Sequence, residues 1–151
     1  CYPLSFSLLV GSLITNIHKK NLKISNVKRE INETSVDIDA EAKIIFEDGF
    51  FSKISSSFKR DLGTKSEIKG EKGTIVIKKT WLGGDSIIKI NENNHHKLIK
   101  IENNKNIYSY QIQSISQNLA NGIFRPQYPG MSLKETLLNM ELIDEWLKKQ
   151  K

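Results

Sequence analysis

Apolar and polar residues alternate through the centre of the chain, from Val36 to Phe58. In the first half, charged residues separate the apolar ones: Val36, Ile38, Ala40, Ala42, Ile44 and Phe46 alternate with Asp37, Asp39, Glu41 and Lys43. Such alternation is typical of a β-strand with one buried and one solvated face. A turn signal at Asp48-Gly49 follows, and the alternation then resumes. The pattern predicts a long antiparallel hairpin in the interior of a sheet.

Shorter apolar runs predict further strands on both sides of this hairpin. One precedes it, from Leu22 to Ile31, and the others follow it, around Ile68, Thr74–Ile77, Ile87–Ile90 and Leu98–Ile101. The segment Gly70–Gly73 lacks the Gly-Lys-Ser/Thr ending and the following helix of a phosphate-binding loop, so we interpret it as a hairpin turn. The polar residues from Asn91 to His96 predict another turn. We expect six or seven mostly antiparallel strands.

Helical spacing of apolar residues begins near the start of the chain. Pro3 fits a first helical turn, and the apolar positions behind it extend to Ile14. Positive charge at His18–Lys20 would lie near the C-terminal end of this helix, where the helix dipole favours it. Gly11 is either a weak point in the helix or a place where another element comes close.

Two more helices are predicted at the other end of the chain. The first contains Tyr108, Ile112, Ile115 and Leu119, and Asn121-Gly122 ends it. The second begins with a capping box from Ser132 to Glu135. Its predicted apolar face consists of Leu133, Leu137, Met140, Ile143, Trp146 and Leu147. The order of elements predicts an α+β fold, an open and predominantly antiparallel β-sheet with helices packed on one face.

Composition and charge exclude several classes of function. The 151 residues carry a net charge of +6, but the cations are scattered lysines, so we expect a solvated surface and no nucleic-acid partner. Cys1 is the single cysteine and cannot form an internal disulfide, which favours a reducing, cytoplasmic location. The apolar run from Phe6 to Ile14 is too short to span a bilayer, and no membrane partner is expected.

His95 and His96 are the only adjacent histidines, and they carry no metal-site pattern. In a strand their side chains would point to opposite faces, although in a loop both could reach one ion. No cysteine ligand lies near them, so a plain turn is the better interpretation and no metal is expected. The sequence also contains no nucleophile with a base and no carboxylate pair, so the residues alone predict a domain without identified chemistry.

Four segments, taken in order, resemble the glucose–fructose oxidoreductase and inositol dehydrogenase (Gfo/Idh/MocA) family. Cys1–Ser5 resembles the helix start after the family's D-x-G-x-Y/H stretch, and Ile68–Ile75 is similar to its I-x-G-x-x-G-x-I hairpin. Tyr108–Gly122 looks like its penultimate helix, and Pro129–Trp146 resembles its last helix, with the pattern M-S-x-x-E-x-L…M-x-x-I-D. Each motif is weak alone, and the four together run nearly from end to end.

The resemblance implies a two-domain oxidoreductase with an N-terminal Rossmann domain that binds NAD or NADP. Residues 1–151 would be its C-terminal substrate and oligomerisation domain, truncated just inside the first helix. The complete enzyme would transfer hydride between the nicotinamide and a sugar, polyol or dihydrodiol-type substrate. The fragment itself would bind no cofactor and would be inactive.

The resemblance assigns one site residue, Tyr2, which matches the family's Tyr or His at the helix start. There the side chain lies near the nicotinamide and passes a proton to or from the substrate oxygen. A phenol with a pKa near 10 serves best as a donor, or as a base if a nearby lysine lowers that pKa. Alternatively, Tyr2 caps a buried helix through its hydroxyl group.

The resemblance also implies a homodimer or tetramer that pairs through the sheet face left uncovered by the helices. The residues expected on that face are Asp37, Asp39, Glu41, Ser55 and Ser57. One alternative to the enzyme remains. The chain would then be a non-catalytic binding or lipid-anchored domain whose mature N-terminus is Cys1.

Overall fold

The computed structural model describes residues 1–149. These residues form three α-helices and seven β-strands. In chain order they are α1 (Tyr2–Ser12), β1 (Leu22–Ile31), β2 (Asp37–Phe46), β3 (Phe51–Ser57), β4 (Ser66–Gly70), β5 (Gly73–Ile77), β6 (Ser86–Glu92), β7 (His95–Ile101), α2 (Ile107–Ala120) and α3 (Leu133–Lys148). All the strand pairs are antiparallel, so the predicted α+β class with antiparallel strands is confirmed.

The chain packs as two compact units. The first unit is Cys1–Leu62 together with the described residues from Tyr128 onward, and the second is Gly63–Gln127. The first unit contains the sheet β1-β2-β3, and the second contains the sheet β4-β5-β6-β7. The strands are thus divided between two sheets, where the sequence predicted one. The polar segment between β3 and β4, which contains Gly63 at a φ of 65°, carries no alternation that could continue the first ladder.

The hairpin predicted at the centre of the chain organises the first unit. β2 is the middle strand, and its inward residues Ala40, Ala42, Ile44 and Phe46 are buried. They meet Ile24 of β1, Ile54 of β3, Leu4 and Leu8 of α1 and Leu142 of α3. Burying one such Leu, Ile or Phe side chain stabilises the fold by roughly 1.5–3 kcal/mol. The predicted register is confirmed, although Val36 and Phe58 lie outside the strands and are exposed.

The first helix is shorter than its apolar pattern predicted. α1 ends at Ser12, and Leu13 and Ile14 lie beyond it with more than half of each side chain exposed. The positive residues near His18 are therefore not at its C-terminal end, and Lys19–Asn21 forms a short 3₁₀ turn instead. Gly11 is a place of close approach: a Cβ atom there would lie within 3.0 Å of two carbon atoms of the Phe46 ring.

The last helix presents only part of its predicted face to the core, namely Ile143 and Trp146. Asn139 and Leu142 are buried, and Leu138, Ile143 and Trp146 pack against the core. Four residues of the predicted face are exposed, namely Leu133, Leu137, Met140 and Leu147. α3 carries two apolar stripes, and periodicity alone could not decide which one meets the sheet. The predicted capping box is confirmed, since Ser132 and Glu135 bond each other's backbone N–H groups.

The second unit consists of the sheet β4–β7 and helix α2. The predicted hairpin turn at Gly70–Gly73 is confirmed, because β4 and β5 pair up to those two glycines. The turn predicted from Asn91 to His96 is present but shorter, because β6 continues to Glu92 and β7 begins at His95. Only Asn93 and Asn94 form the turn, and Asn93 has a φ of 39°. α2 occupies its predicted position, but none of its residues is buried.

Candidate functional site

Tyr2 lies in the first turn of α1, and 71% of its surface is exposed. Cys1 is the N-cap residue and makes no side-chain capping bond, and Pro3 in the first turn has no N–H to satisfy. Within residues 1–149, no hydrogen bond to the Tyr2 hydroxyl group is present. The alternative role of Tyr2 is to cap a buried helix through its hydroxyl. In the described part of the chain, that hydroxyl has no partner for this role.

The turn that carries Tyr2 is attached to the rest of the first unit by hydroxyl groups. The Ser7 hydroxyl donates to the carbonyl oxygen of Pro3 at 2.8 Å and lies 2.6 Å from the Ser52 hydroxyl on β3. The Ser5 hydroxyl lies 3.3 Å from Oδ1 of Asn139 on α3 and 3.2 Å from the carbonyl oxygen of Cys1. The site is thus an exposed phenol on a turn that is bonded to both β3 and α3.

These bonded residues were not among the site residues predicted from the sequence. The Ser5–Asn139 pair is separated by 134 residues, so no local pattern could join them. One signal was present: Ser7 and Asn139 are polar residues at positions that helical periodicity places among apolar ones. A buried polar residue on a core-facing stripe needs a hydrogen-bond partner, and here each has one.

The face of the three-stranded sheet opposite α1 and α3 is called the outer face here. It carries the residues predicted for oligomerisation, and all five of them are partly exposed: Asp37, Asp39, Glu41, Ser55 and Ser57. Arg60 donates to the carboxylates of both Asp39 and Glu41 at 2.8 Å. The Arg60 guanidinium lowers the pKa of the Asp39 carboxyl from its usual 3.8, and the two carboxylates raise the pKa of Arg60. The carboxylates of Asp39 and Glu41 are therefore both paired.

Other polar groups do not form a second candidate site. His95 and His96 lie in β7 opposite Glu92 and Asn91, and only His96 has a recorded contact, 2.9 Å from the side-chain oxygen of Asn91. Residues 1–149 contain no group of three or more metal-ligating side chains. A groove of about 540 Å³ beside the Gly70–Gly73 hairpin is lined largely by isoleucine and glycine. The Thr74 hydroxyl in it is already bonded to Asn91.

None of the described helices combines the length and apolar character that crossing a membrane requires.

The sequence matches no protein-family model and no curated protein. The structure does match solved structures. An aldose–aldose oxidoreductase from Caulobacter crescentus, complexed with glycerol, aligns at a TM-score of 0.71 and 14% identity, over 94% of this chain and 42% of that chain. KijD10, a 3-ketoreductase from Actinomadura kijaniata in complex with NADP, aligns at a TM-score of 0.72 and 14% identity, over 95% of this chain and 43% of that chain.

A third structure is a tyrosine-to-phenylalanine variant of KijD10 in complex with TDP-benzene and NADP. It aligns at a TM-score of 0.71 and 12% identity, over 93% of this chain and 42% of that chain. The chain thus spans about two fifths of the length of these proteins, in their C-terminal part. Identity this low shows the fold alone. The fold implied by the resemblance to the Gfo/Idh/MocA oxidoreductases is confirmed.

Proposed function

We propose that this chain is the C-terminal domain of a Gfo/Idh/MocA-type oxidoreductase. The complete protein would transfer hydride between NAD or NADP and a sugar, polyol or dihydrodiol-type substrate. The observation that carries the proposal is the match of 94–95% of the chain to two oxidoreductases, whose names refer to an aldose and to 3-ketoreduction. The order of the four sequence motifs supports it independently.

The residues of this chain do not fit a nucleotide site of their own. All strand pairs among residues 1–149 are antiparallel, so the described chain contains no βαβ unit to present a helix N-terminus to a pyrophosphate. NAD or NADP would therefore be held by another part of the complete protein, where the nicotinamide gives or takes the hydride. The contribution of this chain is confined to binding substrate and moving a proton.

Tyr2 is the residue we propose for the proton transfer. Its hydroxyl is exposed and has no partner within residues 1–149, so it is available to a substrate oxygen. In the direction of reduction, the substrate oxygen gains a proton from the Tyr2 Oη atom as its carbon gains hydride. The reverse direction returns that proton to the phenolate. The phenol O–H group is a proton donor, which is the role that reduction requires.

Tyr2→Phe in the complete protein tests this role. The substitution removes only the hydroxyl, so turnover should fall roughly 10²–10⁴-fold, the usual contribution of a positioned acid–base group. Because no recorded hydrogen bond is lost, the free energy of unfolding should change by less than about 0.5 kcal/mol. Cofactor affinity should be unchanged. Steady-state kinetics, cofactor titration and thermal melting measure these three quantities.

Tyr108→Phe provides the matched control. Tyr108 lies in the first turn of α2 and is 63% exposed, so the control removes a similar hydroxyl from a similar position. Its turnover should stay within about twofold of the unmodified protein, as for a surface substitution. A Tyr2→Phe enzyme whose turnover is also within about threefold would contradict the proposed role.

A further inference from the structure

Two polar side chains of the first unit are almost completely buried. Ser7 on α1 is 4% exposed and Asn139 on α3 is 5% exposed. Burying a polar group without a hydrogen bond costs roughly 1–3 kcal/mol in proteins, so alanine at Ser7 and leucine at Asn139 would be the simpler choices for a core. Their hydrogen bonds show what the polar atoms provide.

Ser7 connects the first turn of α1 to β3. Its hydroxyl has one hydrogen atom, which is directed at the carbonyl oxygen of Pro3 at 2.8 Å. With Ser7 donating to Pro3, the 2.6 Å contact between Ser7 and Ser52 is satisfied when Ser52 is the donor. The result is a directed chain of hydrogen bonds from Ser52 through Ser7 to Pro3, the residue next to Tyr2.

Ser5 connects the same turn to α3. Its hydroxyl is shared between the carbonyl oxygen of Cys1 and Oδ1 of Asn139, at 3.2 and 3.3 Å. Asn139 is itself fixed, because it lies one turn before Leu142, which is completely buried. The first turn is therefore bonded on one side to a strand and on the other to a helix.

We propose that the Ser7–Ser52 and Ser5–Asn139 hydrogen bonds fix the position of the first turn of α1, and with it the Tyr2 side chain. Apolar packing of Leu4 and Leu8 is non-directional and allows the helix to rotate or slide slightly. Hydrogen bonds have narrow limits of distance and angle, so two of them on different sides restrain both movements. Ser5, Ser7 and Asn139 are thus positioning residues. Their effect on turnover rests on the proposed function of Tyr2, whereas their effect on the turn does not.

The activity test uses Ser7→Ala and Asn139→Leu in the complete protein. Because a displacement of about 1 Å can cost up to roughly 10²-fold in rate, we expect turnover to fall at least about tenfold, with KM changed less than about threefold. In the Tyr2→Phe background the same substitutions should cause no further loss, since there is no phenol left to position. Equal losses in both backgrounds would show a general structural effect and overturn the proposal.

Ser12→Ala is the matched control. Ser12 also lies in α1 and its hydroxyl also bonds a carbonyl oxygen of the helix, that of Leu9 at 2.7 Å, but it is exposed and far from Tyr2. Its turnover should stay within about twofold. Leucine at position 139 adds apolar surface to the core, so the melting temperature of Asn139→Leu should not be lower than that of the unmodified protein. If the leucine variant fails to fold, Ser5→Ala breaks the same hydrogen bond from the other side.

A second measurement separates this proposal from the function of Tyr2. Hydrogen exchange of the Ser5 amide, which donates to the carbonyl oxygen of Cys1 at 3.0 Å, reports opening of the first turn without any assay of turnover. In the complete protein, the Ser5 amide should exchange at least about tenfold faster in Ser7→Ala and Asn139→Leu. Its exchange rate should be unchanged in Ser12→Ala. Unchanged exchange in the first two variants would overturn the proposal. If Tyr2→Phe retains full turnover, the proposed function fails while the exchange rates still decide whether the turn is fixed.

Discussion

At the residue scale, Glu145 carries most of the charge pairing at the C-terminal end of α3. Its carboxylate pairs with Lys19 and, at 2.6 Å, with Lys149, which also donates to the carbonyl oxygen of Ile24 at 2.7 Å. Burial acts to raise the pKa of Glu145, but the hydrogen bonds from the two lysines outweigh it and hold the pKa below the usual 4.5. The ionised form is therefore favoured more in the folded state than in the unfolded chain.

This pKa shift predicts a loss of stability in acid. A carboxyl group with a lowered pKa in the folded state contributes stability that is present above about pH 4.5, and the contribution disappears as the pH falls through the folded pKa. Glu145→Gln should therefore lower the free energy of unfolding at pH 7, by less than about 1 kcal/mol for a partly exposed pair. Near pH 2 the two proteins should be equally stable. Denaturant unfolding at both pH values measures this, with the exposed Glu141→Gln as control.

Gly11 provides a second prediction at this scale. Alanine is favoured over glycine in a helix interior by about 1 kcal/mol, so propensity alone predicts that Gly11→Ala is stabilising. The added Cβ atom would instead meet the ring of Phe46, which is 1% exposed and is part of the core cluster. We expect a net destabilisation of about 1–3 kcal/mol, as for other overpacked cores. Thermal melting measures it, and a higher melting temperature would show that the Phe46 ring can move aside.

At the scale of elements, the start of α3 depends on one hydroxyl group. The Ser132 side chain accepts the backbone N–H of Glu135, and the Glu135 carboxylate accepts the backbone N–H of Ser132 at 2.7 Å. Ser132→Ala should cost about 1 kcal/mol, whereas Ser132→Thr should retain most of the stability because its hydroxyl can accept the Glu135 N–H and donate to the Glu135 carboxylate, as the Ser132 hydroxyl does at 2.5 Å. Denaturant unfolding of both variants tests this. Equal losses would mean that the loop before α3, and not the cap, is being perturbed.

The elements also show what the sequence could and could not predict. β2 and the α3 cap were predictable because each is set by neighbouring residues: strict alternation in the first case, and Ser132 with Glu135 in the second. The inward face of α3 was not predictable, because the helix has two apolar stripes and only contact with the sheet selects one of them. The same limitation applies to the candidate site. Tyr2 was found through motif resemblance, but its attachment through Ser5 and Asn139 depends on contacts between distant parts of the chain.

At the scale of the whole molecule, the antiparallel strands predict that this chain alone binds no nicotinamide cofactor. Isothermal titration of residues 1–151 with NAD and with NADP should show no binding at micromolar affinity, since no helix N-terminus follows a parallel strand within residues 1–149. Micromolar binding of either nucleotide would contradict the prediction. Binding by the complete protein and not by the chain is the result that the proposed function requires.

The last prediction concerns assembly through the outer face of the three-stranded sheet. On this face Arg60 pairs with Asp39 and Glu41, so burying these two carboxylates against a partner leaves neither of them unpaired. Lys43 lies over the Phe51 ring at 3.9 Å in the same area, which adds apolar surface to a polar face. Such a mixed surface suits a wet interface of standard size.

We predict that the complete protein is a dimer or tetramer paired through this face. Lys43→Glu reverses a charge in the middle of this face and removes the Lys43–Phe51 contact, so light scattering at tens of micromolar should show monomer. The exposed Lys134→Glu on α3 is the control and should leave the mass unchanged. A monomeric unmodified protein would contradict assembly, and an unchanged mass for Lys43→Glu would exclude this face as the interface.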